Sequence, residues 1–141
     1  MPRTDVVFYR DDDGSVPVLH WLGGLSLKAR LKCLVRIERL RELGHELRRP
    51  EADLLRDGVY ELRISLNHLQ YRILYSFHTP VNEETVKVGP GKRQSGERRT
   101  IAVLAHGLIK EDKVPGDEID RAVARMAKFS KAPKRYSLAE D

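Results

Sequence analysis

Val59-Tyr60-Glu61-Leu62-Arg63-Ile64, then Gln70-Tyr71-Arg72-Ile73-Leu74-Tyr75-Ser76-Phe77, then Thr100-Ile101-Ala102-Val103-Leu104-Ala105-His106-Gly107: these three runs decide the reading of the chain. In the first, Glu61, Arg63 and Ser65 alternate with Leu62, Ile64 and Leu66, which in a strand separates a polar from an apolar face. The second is apolar and aromatic except for Arg72. Arginine is rarely buried without a partner, so Arg72 is expected to face a cleft or an acid. The third ends in His106-Gly107 and leads on to Lys110, Lys113 and Pro115. Arg63, Arg72, His106 and Lys110 are therefore expected to converge at one end of a sheet. Cations gathered on a concave sheet suit a polyphosphate chain as ligand.

Upstream of these strands the period changes from two to that of a helix. Leu27, Leu31, Leu34, Ile37 and Leu40 recur at helical spacing and predict a helix over 27–43 with those residues as its buried stripe. Ser26 is placed to cap its start and Gly44 to end it. Cys33 reads as a packing residue of this helix. Its remaining positions are strongly basic, which fits either a solvated surface or a second phosphate-contact surface. Arg48, Arg49 and Arg56 extend that charge through what reads as a connecting loop. Before the helix, Val6–Arg10 predicts a short strand. Asp11-Asp12-Asp13-Gly14 lacks the ligand spacing of a calcium loop and reads as a turn and helix start. Pro17 fits the first turn of a short helix that Gly23-Gly24 breaks.

Beyond the second strand, residues 80–98 are polar and glycine-rich, and read as a flexible insertion. Gly91-Lys92 lacks the rest of a phosphate loop. Gly116-Asp117-Glu118 starts a last helix with acids in its first turn, and Ile119, Val123, Met126, Ala127 and Phe129 give its apolar face. Residues 131–141 read as a loose tail. The expectation is one α+β domain over 1–130. It has a mostly antiparallel sheet of about four strands, two N-terminal helices and one C-terminal helix.

The bulk numbers narrow the function. The 141 residues carry a formal charge of +5, and 33% of them are charged. The isoelectric point is near 9.5. This favours an anionic partner without demanding one. A single cysteine excludes an internal disulfide and points to a reducing compartment. The sequence has no apolar signal region and no stretch long enough to span a bilayer, so a cytoplasmic location and no membrane partner are expected. The five histidines form no ligand spacing, so no metal and no cofactor are expected.

The strings LRDGVYELRI (55–64), QYRILYSFH (70–78), IAVLAHGLIKEDKVP (101–115) and EIDRAVARMAKF (118–129) resemble the RelE/HigB superfamily of bacterial toxins, and within it the phage-derived Gp49-like, HigB-type branch. The resemblance covers about residues 5–130, apart from 80–98. It implies a RelE-like fold and the toxin of a type II toxin–antitoxin pair. Such a toxin is an endoribonuclease that cuts mRNA on the ribosome without a metal, and its partner is a helix-turn-helix antitoxin.

RNA cleavage of this kind removes a proton from the 2′-hydroxyl, stabilises charge on the phosphoryl oxygens and protonates the 5′-oxygen. Arginine suits the charge and histidine the protons. Carried over by position, Arg72 would hold the scissile phosphate and His106 would be general acid or base. Arg63 and Lys110 would add charge stabilisation. Lys113, Arg56, Arg48 and Tyr71 would bind RNA, the tyrosine by base stacking. Each has a plainer alternative. Arg63 could simply pair with Glu61 or Asp57, Arg72 with another acid; His106 could cap its strand, and Lys110 could be a solvated cation. A related branch inhibits gyrase without cutting RNA, so a non-catalytic inhibitor or nucleic-acid binder on the same scaffold is the competing class.

Overall fold

The structure is a computed structural model that describes residues 4–79 and 100–138. Among them, β1 (Asp5–Phe8), β2 (Ala52–Arg56), β3 (Val59–Leu66), β4 (Leu69–His78) and β5 (Ile101–Ile109) form one sheet in the order β1-β5-β4-β3-β2. Strands β2 to β5 are antiparallel to their neighbours, and β1 runs parallel to β5. Two tight turns set the register. Asp57-Gly58 joins β2 to β3 and Asn67-His68 joins β3 to β4, and all four residues have positive φ. Successive positive φ angles match the twist of a two-residue hairpin, and Asp, Asn and Gly adopt them most readily.

Strand β2 corrects the expected connecting loop and raises the strand number from about four to five. It pairs from Ala52↔Leu62 to Arg56↔Val59, with a register shift between Leu54 and Arg56. The bulge interrupts the alternation by which a strand is recognised.

Helices α1 (Pro17–Gly23) and α2 (Leu27–Leu43) cover one face of the sheet, and α3 (Gly116–Lys131) covers part of the other. The Ser26 hydroxyl accepts a hydrogen bond from the Ala29 N–H at 3.2 Å, capping α2 as expected. Its buried stripe is the expected one only in Ile37 and Leu40. Ala29, Cys33, Ile37 and Leu40 pack against the sheet, whereas Leu27, Leu31 and Leu34 are exposed. Facing α2 are Leu62, Ile64, Tyr71, Ile73 and Tyr75, a layer already filled by large side chains. The helix approaches such a layer most closely through small residues. Gly107 serves a similar close approach, since a Cβ there would lie 2.2 Å from the Trp21 ring.

The basic side chains of α2 are mostly tied inward. Arg30 donates to the Leu22 and Leu25 carbonyls at 3.0 and 3.1 Å, and Arg36 to the Arg63 carbonyl. Arg39 grips Glu51 with two bonds of 3.0 and 2.9 Å, holding that carboxyl below the usual range. These arginines staple the helix to the fold, which disfavours α2 as a second phosphate surface.

Helix α3 lays Ile119, Ala122, Val123 and Met126 over Val59, Leu74, Ala105 and Val114. The chain after it is described to Leu138 and is not loose there. Ser137 bridges to Tyr9, the Leu138 N–H donates to the Phe8 carbonyl at 3.1 Å, and the Tyr136 ring stacks on Tyr9. The acidic triplet supports this end. Asp12 accepts from Lys128 at 2.6 Å and from the Tyr136 hydroxyl at 2.8 Å, which lowers its pKa. The expected insertion at 80–98 lies outside the described residues.

Candidate functional site

Alternation sends Leu62 and Ile64 of β3 and Ile73 of β4 into the α2 layer, and sends Glu61, Arg63 and Arg72 to the opposite face. Arg63 and Arg72 are direct cross-strand partners, and Glu61 pairs with Leu74. Two guanidinium groups side by side repel unless acids lie between them. Here the acids are Glu61 and Asp53. Arg63 Nε donates to Glu61 Oε2 at 2.9 Å, while the other carboxylate oxygen of Glu61 accepts from Arg72 Nη1. Arg63 Nη2 reaches Asp53 at 3.3 Å, and Arg49 reaches the same oxygen at 3.0 Å. The Arg49 bond foremost holds the Asp53 carboxyl below its usual pKa. Arg72 Nη2 donates to the Asp112 carbonyl at 3.0 Å, tying β4 to the β5–α3 connection. Arg72 Nε is buried without a hydrogen-bond partner.

These residues floor a cleft of ≈ 440 Å³ on the part of the face that α3 leaves open. Asp53, Glu61, Arg63 and Arg72 form its base. Leu55 and Arg56 wall one side, and Asp112, Lys113, Val114 and Ile119 the other. The lining holds four cations and three acids, so its charge is alternating rather than uniformly positive. Depth separates the cations. Arg72 is 8% exposed and Glu61 1%, while the Arg63 side chain is 34% exposed and Lys113 lies open. Arg56 is held by Asp57 and Asp120, each at 2.8 Å. Arg63 is likewise held, by Glu61 and Asp53, so Lys113 is the open cation of the lining and Arg63 the partly exposed one that stands directly on the Arg72–Glu61 floor.

Of the residues expected at the site, the structure brings Arg63, Arg72, Arg56 and Lys113 together. It places the other four elsewhere. His106 is 6% exposed and sits under α3. Its Nε2 lies 2.9 Å from Glu118 Oε1, and its Nδ1 lies 2.9 Å from Arg125 Nη1. An arginine can only donate, so Nδ1 is the acceptor and Nε2 carries the proton. Burial, followed by the Arg125 charge, holds the imidazole below its ordinary pKa against the pull of Glu118. Tyr71 points to the opposite face, packed in the core with its ring edge-on to Trp21 at 6.3 Å. The alternation that puts Arg72 on the cleft face puts Tyr71 on the other, which corrects its expected role in stacking on RNA. Lys110 lies just past β5, where its N–H bonds the Gln70 carbonyl, and Arg48 is in the exposed turn before β2; neither lines the cleft.

Sequence reading missed Asp53 and the Asp112 carbonyl, and treated Glu61 only as an alternative partner of Arg63. The i, i+2 spacing of Glu61 and Arg63 was the available signal. The diagonal bond from Arg72 needs the strand register.

A family described as phage derived protein Gp49-like (DUF891) matches residues 20–82. The match takes in Arg56, Glu61, Arg63 and Arg72 and ends before β5, so His106 and Lys113 fall outside it. No curated protein matches the chain. Among the described residues, no helix is long and apolar enough to cross a membrane.

Proposed function

We propose that this chain is the toxin of a type II toxin–antitoxin pair of the RelE/HigB kind. Its proposed activity is metal-independent cleavage of mRNA presented on the ribosome, in the cytoplasm. The observation that carries the reading is the open cleft of Arg63 and Lys113 over a floor of Arg72 and Glu61, built largely from residues inside the Gp49-like match. In this reading Arg63 and Lys113 meet phosphate oxygens, where a guanidinium can pair with two at once. Arg72, fixed by Glu61 and the Asp112 carbonyl, supplies a preorganised positive field behind them. The cleft carboxylates of Asp53 and Glu61 can accept a proton, and each is engaged by two arginines. His106 lies outside the cleft lining, so this reading gives it no part in removing the 2′-hydroxyl proton. A helix-turn-helix antitoxin would close the cleft with an acidic or amphipathic segment, and the association would weaken with salt.

The test is single-turnover cleavage of a programmed mRNA on ribosomes, with co-expression of the adjacent gene product as the partner test. Arg63→Ala should slow cleavage strongly while His106→Gln leaves it nearly intact. One observation favours a second reading, a non-catalytic inhibitor: His106 is sealed off and Arg72 is engaged within the fold. Ribosome, RNA or gyrase binding without any cut strand would establish that reading and remove the first.

A further inference from the structure

The outward face of α2 carries four large apolar side chains that stand exposed among the described residues. Leu27 is 64% exposed, Leu31 52%, Leu34 41% and Val35 64%. Single exposed leucines are ordinary, but four within three turns of one helix mark a contact surface. The charges beside them are ordered. Lys28 and Lys32 lie toward the N-terminal half, and Glu38 and Glu42 toward the C-terminal half, where Arg39 is turned to Glu51 and Arg41 to Glu38. Lys28 and Glu42 stand seven positions either side of Val35, and Lys32 and Glu38 stand three. A helix with this arrangement is complementary to itself when turned end for end.

We infer that α2 is the docking surface for a second copy of this chain, in an antiparallel, two-fold pair crossing near Val35. In that pair Val35 and Leu31 of both copies form the apolar centre. Lys28 of each faces Glu42 of the other, and Lys32 faces Glu38. A two-fold interface presents the same patch on both sides, and opposite charges at its ends fix the antiparallel direction against the parallel one, which would set like charges together. Lys32 already donates to the Ser65 carbonyl at 3.1 Å and Arg41 to Glu38 at 3.1 Å. An ammonium has two further protons and a carboxylate further lone pairs, so both can serve a second contact. One 17-residue helix spans about 25 Å, which places the interface at the small end of specific contacts and makes the dimer concentration-dependent. The cleft lies on the opposite face of the sheet, so pairing leaves it open and the inference stands apart from the ribonuclease reading.

Sedimentation equilibrium of the full chain from about 1 to 500 µM, the range in which small interfaces associate, is the test. Wild type should shift from monomer to dimer. Lys28→Glu with Lys32→Glu should hold the chain monomeric, and adding Glu38→Lys with Glu42→Lys should restore the dimer by reversing both ends together. All these positions are exposed, and a thermal melt of each variant checks that it folds. A wild type that stays monomeric across the range overturns the inference, and so does a dimer indifferent to the double reversal. If the wild type is monomeric but binds the adjacent gene product through Leu31 and Val35, the surface belongs to that partner instead.

Discussion

The α3 side of the sheet carries two charged clusters with opposite fates. Under α3, the His106 ring is buried between Glu118 and Arg125. Beyond its edge, Asp53, Glu61, Arg63 and Arg72 floor an open cleft. Both use acids and bases at hydrogen-bond distance, so residue type does not distinguish a structural cluster from a binding one. Cover does. The His106 ring is covered, with Glu118 and Arg125 partly exposed around it, whereas Arg63 and Lys113 reach solvent over a base of Arg72 and Glu61 as buried as that ring. The lesson is to separate floor from rim. Arg72 and Glu61 resemble the His106 cluster in burial, and Arg63 resembles a ligand contact.

Four experiments would break or sharpen that contrast. The largest effect should come from Arg72→Ala. It leaves Glu61 buried with one arginine fewer, and breaking a buried pair by removing one partner costs about 3–5 kcal/mol. Urea unfolding should show that loss as a lowered midpoint. A midpoint unchanged from wild type would make Arg72 a rim residue after all. Next is Arg63→Ala. Its side chain is one-third exposed, so its ion pairs are worth only about 0–1 kcal/mol to stability. Single-turnover cleavage should nevertheless fall on the order of 100-fold if it stabilises transferring phosphate. Equal losses in stability and rate would erase the rim–floor distinction.

The third experiment uses pH. His106 is held neutral in the fold, below the ordinary imidazole pKa of about 6.5. Its contribution to stability is present above that pH. It is lost as pH falls below it, because the unfolded chain takes up a proton that the folded one resists. His106→Gln can still donate to Glu118 and accept from Arg125. Thermal melts at pH 8, 6 and 5 should therefore show a shallower acid decline in the variant than in wild type. Parallel declines would mean that His106 is not sealed. The smallest effect belongs to Lys113→Ala. It should leave the melt unchanged and lower the dependence of RNA affinity on log salt by about one phosphate contact.

The elements that follow a single local rule were legible in the sequence. Alternation located β3 and β4, and helical spacing with Ser26 and Gly44 located α2. Where two rules competed, the wrong one was followed. Helix α2 carries two stripes at helical spacing, and the leucine stripe is the more hydrophobic. The sheet face opposite has room for Ala29 and Cys33, a property of the partner layer that the helix sequence does not hold. Strand β2 was hidden by its bulge. At the site, alternation put Arg63 and Arg72 on one face, and the same rule, applied consistently, would have removed Tyr71 from it. The cover over His106 depends on how α3 crosses β5, which no local pattern encodes.

Among the described strands, β1 comes first in sequence and pairs with β5 alone, Asp5 lying opposite Ile101, and its far end is held by Tyr136 to Leu138. Closing so long a loop is entropically expensive, and topologies that depend on such contacts fold slowly. On the ribosome β1 emerges well before β5, and among the described strands it has no partner until β5 follows. The β2–β3–β4 meander, by contrast, closes through two-residue turns and is free to form as soon as it emerges. Birth order and assembly order therefore run in opposite directions in this protein. During synthesis, its amino-terminal strand is an unpaired edge open to neighbouring chains.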